Sequence, residues 1–330
     1  MTASIVLFLA SLALTIVSSI VLVEVVDRVG QRFHLPEGLV GILTALAADS
    51  PEVSAAITAI QGGRASLGFG VVIGSNIFNV AALLGLSAAI AGVVRIRRPA
   101  LVLEGVVALA VTVVVSALVL RLLGPVPTVV IVLVVLAPYV WLSAHNSSRV
   151  SGLKLPGPIR SGLASAVAGV EKDERPGRTA PRASNHDIWT LVPALTAVVL
   201  GSVGMVDTSV SLGKRWGVSQ ILIGTLVLAA LTGLPNVLGA VRLARRARGS
   251  AVVSEALNSN TLNLLVGVTL PALIVGVGAP SAQARLSVLW LLGITVVTVV
   301  LTGLRGGLRR LEGVAVIVAY LVFVVVLVVG

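Results

Sequence analysis

Two acidic residues lie in the middle of an apolar stretch of this chain. Asp49 and Glu52 are three residues apart, so a helix would place both carboxylates on roughly one face, with Pro51 between them. No basic residue occurs in the stretch 39–61. A charged side chain at the centre of a bilayer is costly unless it faces a bundle interior or a wet cavity. The pair therefore indicates a cation site, and the alternative is a buried pair held by local hydrogen bonds.

A polar motif around these residues occurs twice. When residues 39–79 are shifted by 184 positions without a gap, nine of 41 positions are identical. The identical pairs other than alanine and valine are Pro51/Pro235, Arg64/Arg248, Ser66/Ser250, Ser75/Ser259, Asn76/Asn260 and Asn79/Asn263. Each proline, falling inside a helical segment, removes a backbone donor and frees the carbonyl four residues earlier, here that of Ala47 or Leu231.

The residue types in this motif suit hard cations. Na⁺ and Ca²⁺ prefer carboxylate, amide, hydroxyl and backbone carbonyl oxygens, and broken helices at membrane depth are tolerated where they line a site. The repeated serines and asparagines, together with the freed carbonyls, predict such ligands. Alternatively, the asparagines form hydrogen bonds between helices.

The composition places these residues in a membrane. Of 330 residues, 57% are hydrophobic and 11% charged, and the mean hydropathy is +1.08. A soluble chain of this size cannot cover so much apolar surface. We predict an all-α membrane protein whose partner is the lipid bilayer. Its ten apolar spans lie near 3–26, 39–61, 66–91, 100–121, 126–145, 188–208, 218–241, 250–276, 285–303 and 312–329.

The spans divide into two groups of five. The predicted units are a first five-helix repeat at 1–145, a polar linker at 146–187 that we expect to be flexible, and a second repeat at 188–330. Five spans reverse the direction of entry, so the repeats would be inverted, a common plan in transporters. With the linker in the cytoplasm, 19 basic residues lie inside and 5 outside, which predicts that both termini are outside. This asymmetry explains the net charge of +11 without a nucleic-acid partner.

The sequence gives no indication of an enzyme. Cysteine is absent, the three histidines form no pattern with acidic residues, and no phosphate-binding or dinucleotide motif occurs in a suitable context. We therefore expect no cofactor, and the small ions Na⁺, Ca²⁺ or H⁺ as substrates.

The motifs resemble those of the calcium/cation antiporter superfamily, which includes the sodium/calcium exchangers. Gly74-Ser75-Asn76-Ile77-Phe78-Asn79, following Ser50-Pro51-Glu52, is similar to the first alpha repeat of that superfamily. Thr232-Gly233-Leu234-Pro235-Asn236, followed by Asn258-Ser259-Asn260-Thr261-Leu262-Asn263, resembles the second. The resemblance implies a sodium/calcium exchanger-like fold in which the second, third, seventh and eighth spans surround a midplane site and the first and sixth slide across them.

The resemblance also implies the site residues. The four central positions correspond to Glu52, Asn79, Asn236 and Asn263, and the neighbouring hydroxyl positions to Ala48, Asp49, Ser75, Thr232, Gly233 and Ser259. Exchangers that handle Ca²⁺ typically carry acids in both repeats, whereas Asn236 and Asn263 are neutral. Asp49 and Glu255 could supply the missing charge. The metal ligands we expect are Glu52, Asp49, Asn79 and Asn263, and Pro51 and Pro235 are the expected helix-breaking residues.

These observations predict a secondary active cation antiporter of the cell membrane, working by alternating access around Glu52 in a Na⁺/Ca²⁺ type of exchange. Three alternatives remain open: a monovalent cation/proton antiporter on the same fold, a channel, and a non-transporting protein on this scaffold. Acids nearer the span ends are interpreted as interfacial: Glu104 paired with the cluster at Arg95–Arg98, and Glu24, Asp27 and Asp207.

Overall fold

The structure is a computed structural model that describes residues 2–95, 98–174 and 185–329, and these are almost entirely helical. Among the described residues, eight helices are long and apolar enough to cross a membrane, and two further pairs of shorter helices pass the same test together but are bent. The described part of the chain thus has eight such spans, or the predicted ten when each bent pair is counted as one span. Of the predicted linker, residues 175–184 with Arg175, Arg178 and Arg182 lie outside the described residues, as does Arg97 before the fourth span.

The described part of the first repeat contains seven α-helices and one short strand. They are α1 (Thr2–Arg32), α2 (Glu37–Ala48), α3 (Ser50–Gln61), α4 (Ala65–Asn79), α5 (Ser87–Ala91), β1 (Val93–Arg95), α6 (Arg98–Val119) and α7 (Pro125–Ser143). A π-helical stretch, Val80–Leu86, joins α4 to α5, so that Ala65–Ala91 is one continuous span.

Two helices occupy the segment predicted to be a linker. They are α8 (Ser147–Ser151) and α9 (Gly157–Glu174). The expectation of a flexible segment is wrong for these residues, because Val150 and Val167 are buried with Leu142 in an apolar cluster. Apolar side chains at helical spacing give α9 a face that packs on α6, α2 and α14.

The second repeat follows the same order. It consists of α10 (Asn185–Trp216), α11 (Gln220–Leu222), α12 (Ala229–Thr232), α13 (Leu234–Arg245), α14 (Gly249–Asn263), α15 (Leu270–Val275), α16 (Ala282–Arg305), β2 (Gly307–Arg309) and α17 (Arg310–Val329). π-Helical stretches at Ile223–Leu228 and Leu264–Thr269 join α11 to α12 and α14 to α15. β1 and β2 pair in antiparallel orientation, with Val94 opposite Leu308, and so tie the two repeats together.

The proline-containing spans break where the sequence predicts. The chain bends by 51° between α2 and α3 at Asp49, and by 45° between α12 and α13 at Gly233. Pro51 and Pro235 lie in the first turn of the helix after each break, where a proline needs no backbone donor. Both breaks therefore place the residue after the proline at a buried helix N-terminus.

Two long helices cross in front of the broken spans. α1 and α10 pack closely along each other, because Gly201 and Gly204 of α10 admit the side chains of Thr15 and Ser11 of α1. α4 and α14 lie in the centre of the molecule, and most of their residues are buried. The repeated asparagines are on these two central helices, so they face the breaks.

Candidate cation site

A hydrogen-bond network joins the two repeats beside the breaks. Oδ1 of Asp49 accepts from Nδ2 of Asn236 at 2.8 Å and from Oγ of Ser259 at 2.9 Å. The Ser259 hydroxyl also accepts from Nδ2 of Asn79 at 3.0 Å and from Nδ2 of Asn263 at 3.4 Å. Five of the predicted site residues therefore meet at one place, contributed by both breaks and both central helices.

The neighbouring asparagines extend this network. Nδ2 of Asn263 also donates to Oδ1 of Asn76 at 3.3 Å, and Nδ2 of Asn76 donates to the backbone oxygen of Asn260 at 3.4 Å. The Asn260 amide donates to the Thr112 hydroxyl of α6 at 2.9 Å. The repeated asparagines thus do form hydrogen bonds between helices, but Asn79, Asn260 and Asn263 use only the donor groups of their side-chain amides for them.

Seven further side-chain oxygens of Glu52 and the residues in this network are buried and accept no hydrogen bond. They are Oδ2 of Asp49, both carboxylate oxygens of Glu52, and Oδ1 of Asn79, Asn236, Asn260 and Asn263. Each of these residues is at most 2% exposed. Buried polar atoms in folded proteins are nearly always paired, so seven unpartnered oxygens need an explanation. A bound cation accounts for acceptors without donors, whereas a buried anion does not.

Glu52 lies in the first turn of α3 and is completely buried. Among the described residues, no basic side chain pairs with Glu52 or Asp49. Nor does any group of three or more acidic, histidine or cysteine side chains occur there. The place therefore combines two carboxylates with neutral amide oxygens, a ligand set that suits a hard cation.

Three predicted oxygen ligands also take part in hydrogen bonds within the helices, and the two hydroxyls among them act as donors, so their oxygen lone pairs stay available to a cation. The Ser75 hydroxyl donates to the backbone oxygen of Val72 at 3.0 Å, and that of Thr232 to Leu228 at 2.8 Å. The carbonyl of Ala47, expected to be free because of Pro51, accepts from the hydroxyl of Ser50 at 2.7 Å. A serine at the break replaces the donor that proline removes, which a pattern of proline positions alone does not reveal.

Glu255 lines a cavity beside the network. This vestibule, of about 410 Å³, lies between α1 on one side and α2, α13 and α14 on the other. Its charged lining residues are Glu24, Asp27, Arg242, Arg246, Arg248 and Glu255. Ala48, directly before Asp49, also lines it, so the vestibule leads towards the break between α2 and α3.

Two of the acids predicted to lie near the ends of the spans are in different environments. Glu104 is buried on α6, and both its oxygens accept from the hydroxyl of Ser254, at 2.9 and 2.7 Å. Asp207 pairs with Arg64 at 2.6 Å. The motifs in the sequence do not predict the contacts of Glu104 and Thr112, although each is a polar residue inside the fourth span.

The comparisons with known proteins agree with this arrangement. The family model for the sodium/calcium exchanger protein matches residues 3–146 and 186–329. The chain belongs to the sodium/calcium exchanger family. Among curated members, the sodium/calcium exchanger MaX1 of Methanosarcina acetivorans is 28% identical over 43% of this chain and 40% of its own length. The human sodium/potassium/calcium exchanger 4 is 29% identical over 45% of the chain and 25% of its own length. These alignments span less than half of each relative.

Solved structures of exchangers share the fold. The sodium-calcium exchanger NCX_Mj has 18% identity with this chain, with a TM-score of 0.63 over 97% of both chains. The H⁺/Ca²⁺ exchanger CAX has 14% identity and a TM-score of 0.72, covering 99% of this chain and 86% of its own. The predicted exchanger-like fold of two five-helix repeats is thus confirmed. As a member of this family the protein is an integral membrane protein.

Proposed function

We propose that this exchanger-family protein is a secondary active cation antiporter that works by alternating access, with Na⁺/Ca²⁺ exchange as its mode. The observation that carries the proposal is the set of seven buried oxygens without donors around Asp49 and Glu52. Relatives named sodium/calcium exchangers support the choice of ions.

The proposed ligands come from both repeats. Glu52 and Asp49 supply carboxylate oxygens, and Asn79, Asn236 and Asn263 supply amide oxygens. Ser259 holds three of these side chains in place through its hydroxyl. The hydroxyl oxygens of Ser75 and Thr232 keep lone pairs for a cation, because each hydroxyl only donates within its own helix. Glu255 would attract cations into the vestibule.

Obligatory exchange follows from the charge of the site. An empty site with two carboxylates and no basic partner is costly to carry through a low-dielectric barrier. A bound cation lowers that cost, so the loaded protein changes conformation more readily than the empty one. Two ions that use the same oxygens would then be carried in opposite directions.

Ion flux into proteoliposomes tests this proposal. We expect Ca²⁺ uptake driven by an outward Na⁺ gradient, reduced at least about tenfold by Glu52→Gln, since a hydrogen bond or contact to a charged group is worth ~1.5–3 kcal/mol. Glu312→Gln is a matched control, because Glu312 pairs with Arg305 away from the site. Gradient-driven flux that survives Glu52→Gln with unchanged coupling would overturn the proposal.

A monovalent cation/proton antiporter is the second candidate. It is favoured by the neutral residue Asn236 at the second-repeat position, where the resemblance implies an acid in exchangers that handle Ca²⁺. The two candidates differ in what accompanies the cation. A Na⁺ gradient that changes internal pH in the absence of Ca²⁺ supports the second candidate and contradicts the first. Uncoupled conductance would indicate a channel, and absence of both flux and cation binding a non-transporting protein.

The membrane orientation belongs to the same proposal. We place the protein in the cell membrane with both termini outside and the linker at 146–187 in the cytoplasm, on the basis of the asymmetry in basic residues. The vestibule, which contains three arginines of the 242–248 segment, would then open to the cytoplasm.

A further inference from the structure

A hydrogen bond at the inner end of the vestibule connects the fifth span to the central helix α14. The hydroxyl of Tyr139 on α7 donates to Oδ1 of Asn258 at 2.5 Å. Tyr139 is 6% exposed and belongs to an apolar cluster, so the bond is shielded from water on that side. Asn258 directly precedes Ser259, whose hydroxyl contacts Asp49 in the cation site. The bond therefore lies one residue away from the network that holds the proposed ligands.

Asn258 separates two cavities. On one side it lines the vestibule between α1, α2, α13 and α14. On the other side it lines a second cavity of about 490 Å³ between α2, α7 and α14, most of whose lining is apolar. Tyr139 lines the second cavity, whereas α7 contributes none of the described residues that line the vestibule. The Asn258 oxygen is therefore turned towards the second cavity and away from the vestibule.

The side-chain amide of Asn258 presents its donor group to the vestibule. The oxygen and nitrogen of a planar amide diverge from the same carbon, so a bond that fixes Oδ1 on Tyr139 points Nδ2 the other way. Among the described residues, Asn258 makes no hydrogen bond except the one with Tyr139. Hard cations bind carbonyl oxygens and not N–H groups, so in this orientation Asn258 gives the vestibule no ligand.

The equivalent positions of the other repeat lack both members of this pair. Shifting Tyr139 by 184 positions gives Phe323, and shifting Asn258 back by 184 positions gives Gly74. The same shift relates the first residues of α6 and α16, so it holds beyond the repeated motif. Phe323 has no hydroxyl and Gly74 has no side chain. The hydroxyl and the amide thus occur together on one of two related sides of the molecule.

We infer that Tyr139 is a positioning residue for the passage of cations. Its hydroxyl holds the Asn258 oxygen away from the vestibule, so that an entering cation meets no amide ligand before it reaches the proposed site. Without this bond the amide could turn and place Oδ1 in the vestibule. Glu255 lies three residues earlier on α14 and lines the same cavity, so its carboxylate would be on roughly the same face as the exposed oxygen.

A restraint of this kind favours transport because weak binding on the route keeps the next step fast. A cation held tightly before the site has a larger barrier to cross, since binding that stabilises only the starting state slows the step that follows. The apolar surroundings of Tyr139 strengthen its hydrogen bond and so hold one orientation of the amide. The inference rests on the proposed function, because it concerns the route to the proposed site.

Tyr139→Phe tests the inference, because it removes the hydroxyl and keeps the ring. We expect the KM for Ca²⁺ on the vestibule side to fall about two- to tenfold, the range that corresponds to one neutral hydrogen bond, and the maximal rate to fall with it. The KM on the opposite side should not change, because the pair has no equivalent there. Flux in right-side-out and inverted membrane vesicles, with Ca²⁺ varied on one side at a time, gives the comparison.

Two further variants separate the amide from other effects. Asn258→Ala removes the oxygen itself, so adding Tyr139→Phe to that variant should change KM and the maximal rate no further. Tyr320→Phe is the matched control, because Tyr320 is the other tyrosine of the chain and packs on Phe78 and Phe323. In the part of the chain that the structure describes, the Tyr320 hydroxyl makes no hydrogen bond, so this variant should leave both KM values unchanged.

Several results would overturn the inference. A KM that Tyr139→Phe leaves unchanged on the vestibule side, or changes equally on both sides, would show that the bond only stabilises the fold. An equal effect of Tyr139→Phe with and without Asn258 would show that the amide is not involved.

Calorimetric titration of Ca²⁺ into detergent-solubilised protein gives a readout that needs no transport. Absent flux in the wild type would contradict the proposed function, whereas the inference would then be decided by binding. Tighter Ca²⁺ binding in Tyr139→Phe only when Asn258 is present would support it. Identical binding in the wild type and Tyr139→Phe would overturn it.

Discussion

Asn236 donates a 2.8 Å hydrogen bond from Nδ2 to Oδ1 of Asp49, and this bond connects the helix breaks of the two repeats. Asn236 is the repeat equivalent of Glu52, and Asp49 is the equivalent of Gly233. Both negative charges thus belong to the first repeat, but one of them contacts the second. The resemblance to exchangers with acids in both repeats is consistent with a charge that moved from position 236 to position 49 and stayed in the same place.

This hydrogen bond predicts that the negative charge can be placed at either position 49 or position 236. Asp49→Asn should reduce cation binding and flux at least about tenfold, because the site loses one of two carboxylates in a low-dielectric environment. Adding Asn236→Asp to that variant returns one carboxylate to the opposite side of the same contact, so we expect partial recovery. Calorimetric titration of Ca²⁺ and Na⁺ into detergent-solubilised protein, with flux in parallel, gives the comparison. Equal loss in the single and double variants would show that the position of the charge matters more than its presence.

Ser259 and Ser75 are repeat equivalents with different contacts, and this difference can be measured. The Ser259 hydroxyl contacts Asp49, Asn79 and Asn263, whereas that of Ser75 contacts only the preceding turn of its own helix. Ser259→Ala leaves two amide donors without this acceptor, so it should lower the free energy of unfolding by about 1–3 kcal/mol and weaken cation binding.

Ser75→Ala is the matched control and should change unfolding and binding less. Thermal unfolding in detergent, with and without Na⁺ or Ca²⁺, reports both quantities, since a ligand that binds the folded state raises the midpoint by an amount that grows with the logarithm of its concentration over its Kd. A larger effect of Ser75→Ala on binding would mean that the Ser75 oxygen is itself a ligand of the ion.

Several features of the structure could be predicted from the sequence because a chemical cost determines them. Ten apolar spans, the breaks next to Pro51 and Pro235 and the burial of Asp49 all follow from the cost of exposing the wrong group to lipid. Contacts that depend on which of several chemically similar groups lies nearest could not be predicted from the sequence. Whether Ser50 or a cation takes the freed carbonyl of Ala47 depends on side-chain rotamers, and helix α9 depends on a packing surface supplied by distant residues.

Glu255 is expected to influence the approach of ions more than their exchange. It lines the vestibule and makes no hydrogen bond to the network, so its charge acts through the local potential. Glu255→Gln should lower the rate at limiting cation concentration a few-fold, leave the maximal rate and the coupling unchanged, and lose its effect as ionic strength rises. Initial rates over a range of cation concentrations, at low and high salt, test this. A fall in the maximal rate that persists at high salt would instead place Glu255 among the ligands.

Gly74 brings the central helix α4 against the backbone of the π-helical stretch Ile223–Leu228. A Cβ at position 74 would overlap backbone atoms of Thr225, which cannot move aside as the end of a side chain can. Gly74→Ala should therefore lower the free energy of unfolding by about 1–3 kcal/mol, the usual cost of overpacking. Gly293→Ala is the control, because a Cβ there meets no atom within 4 Å on α16. Thermal unfolding should separate the two variants clearly. If Gly74→Ala unfolds like wild type but loses flux, the close approach serves the motion of the site and not the stability of the fold.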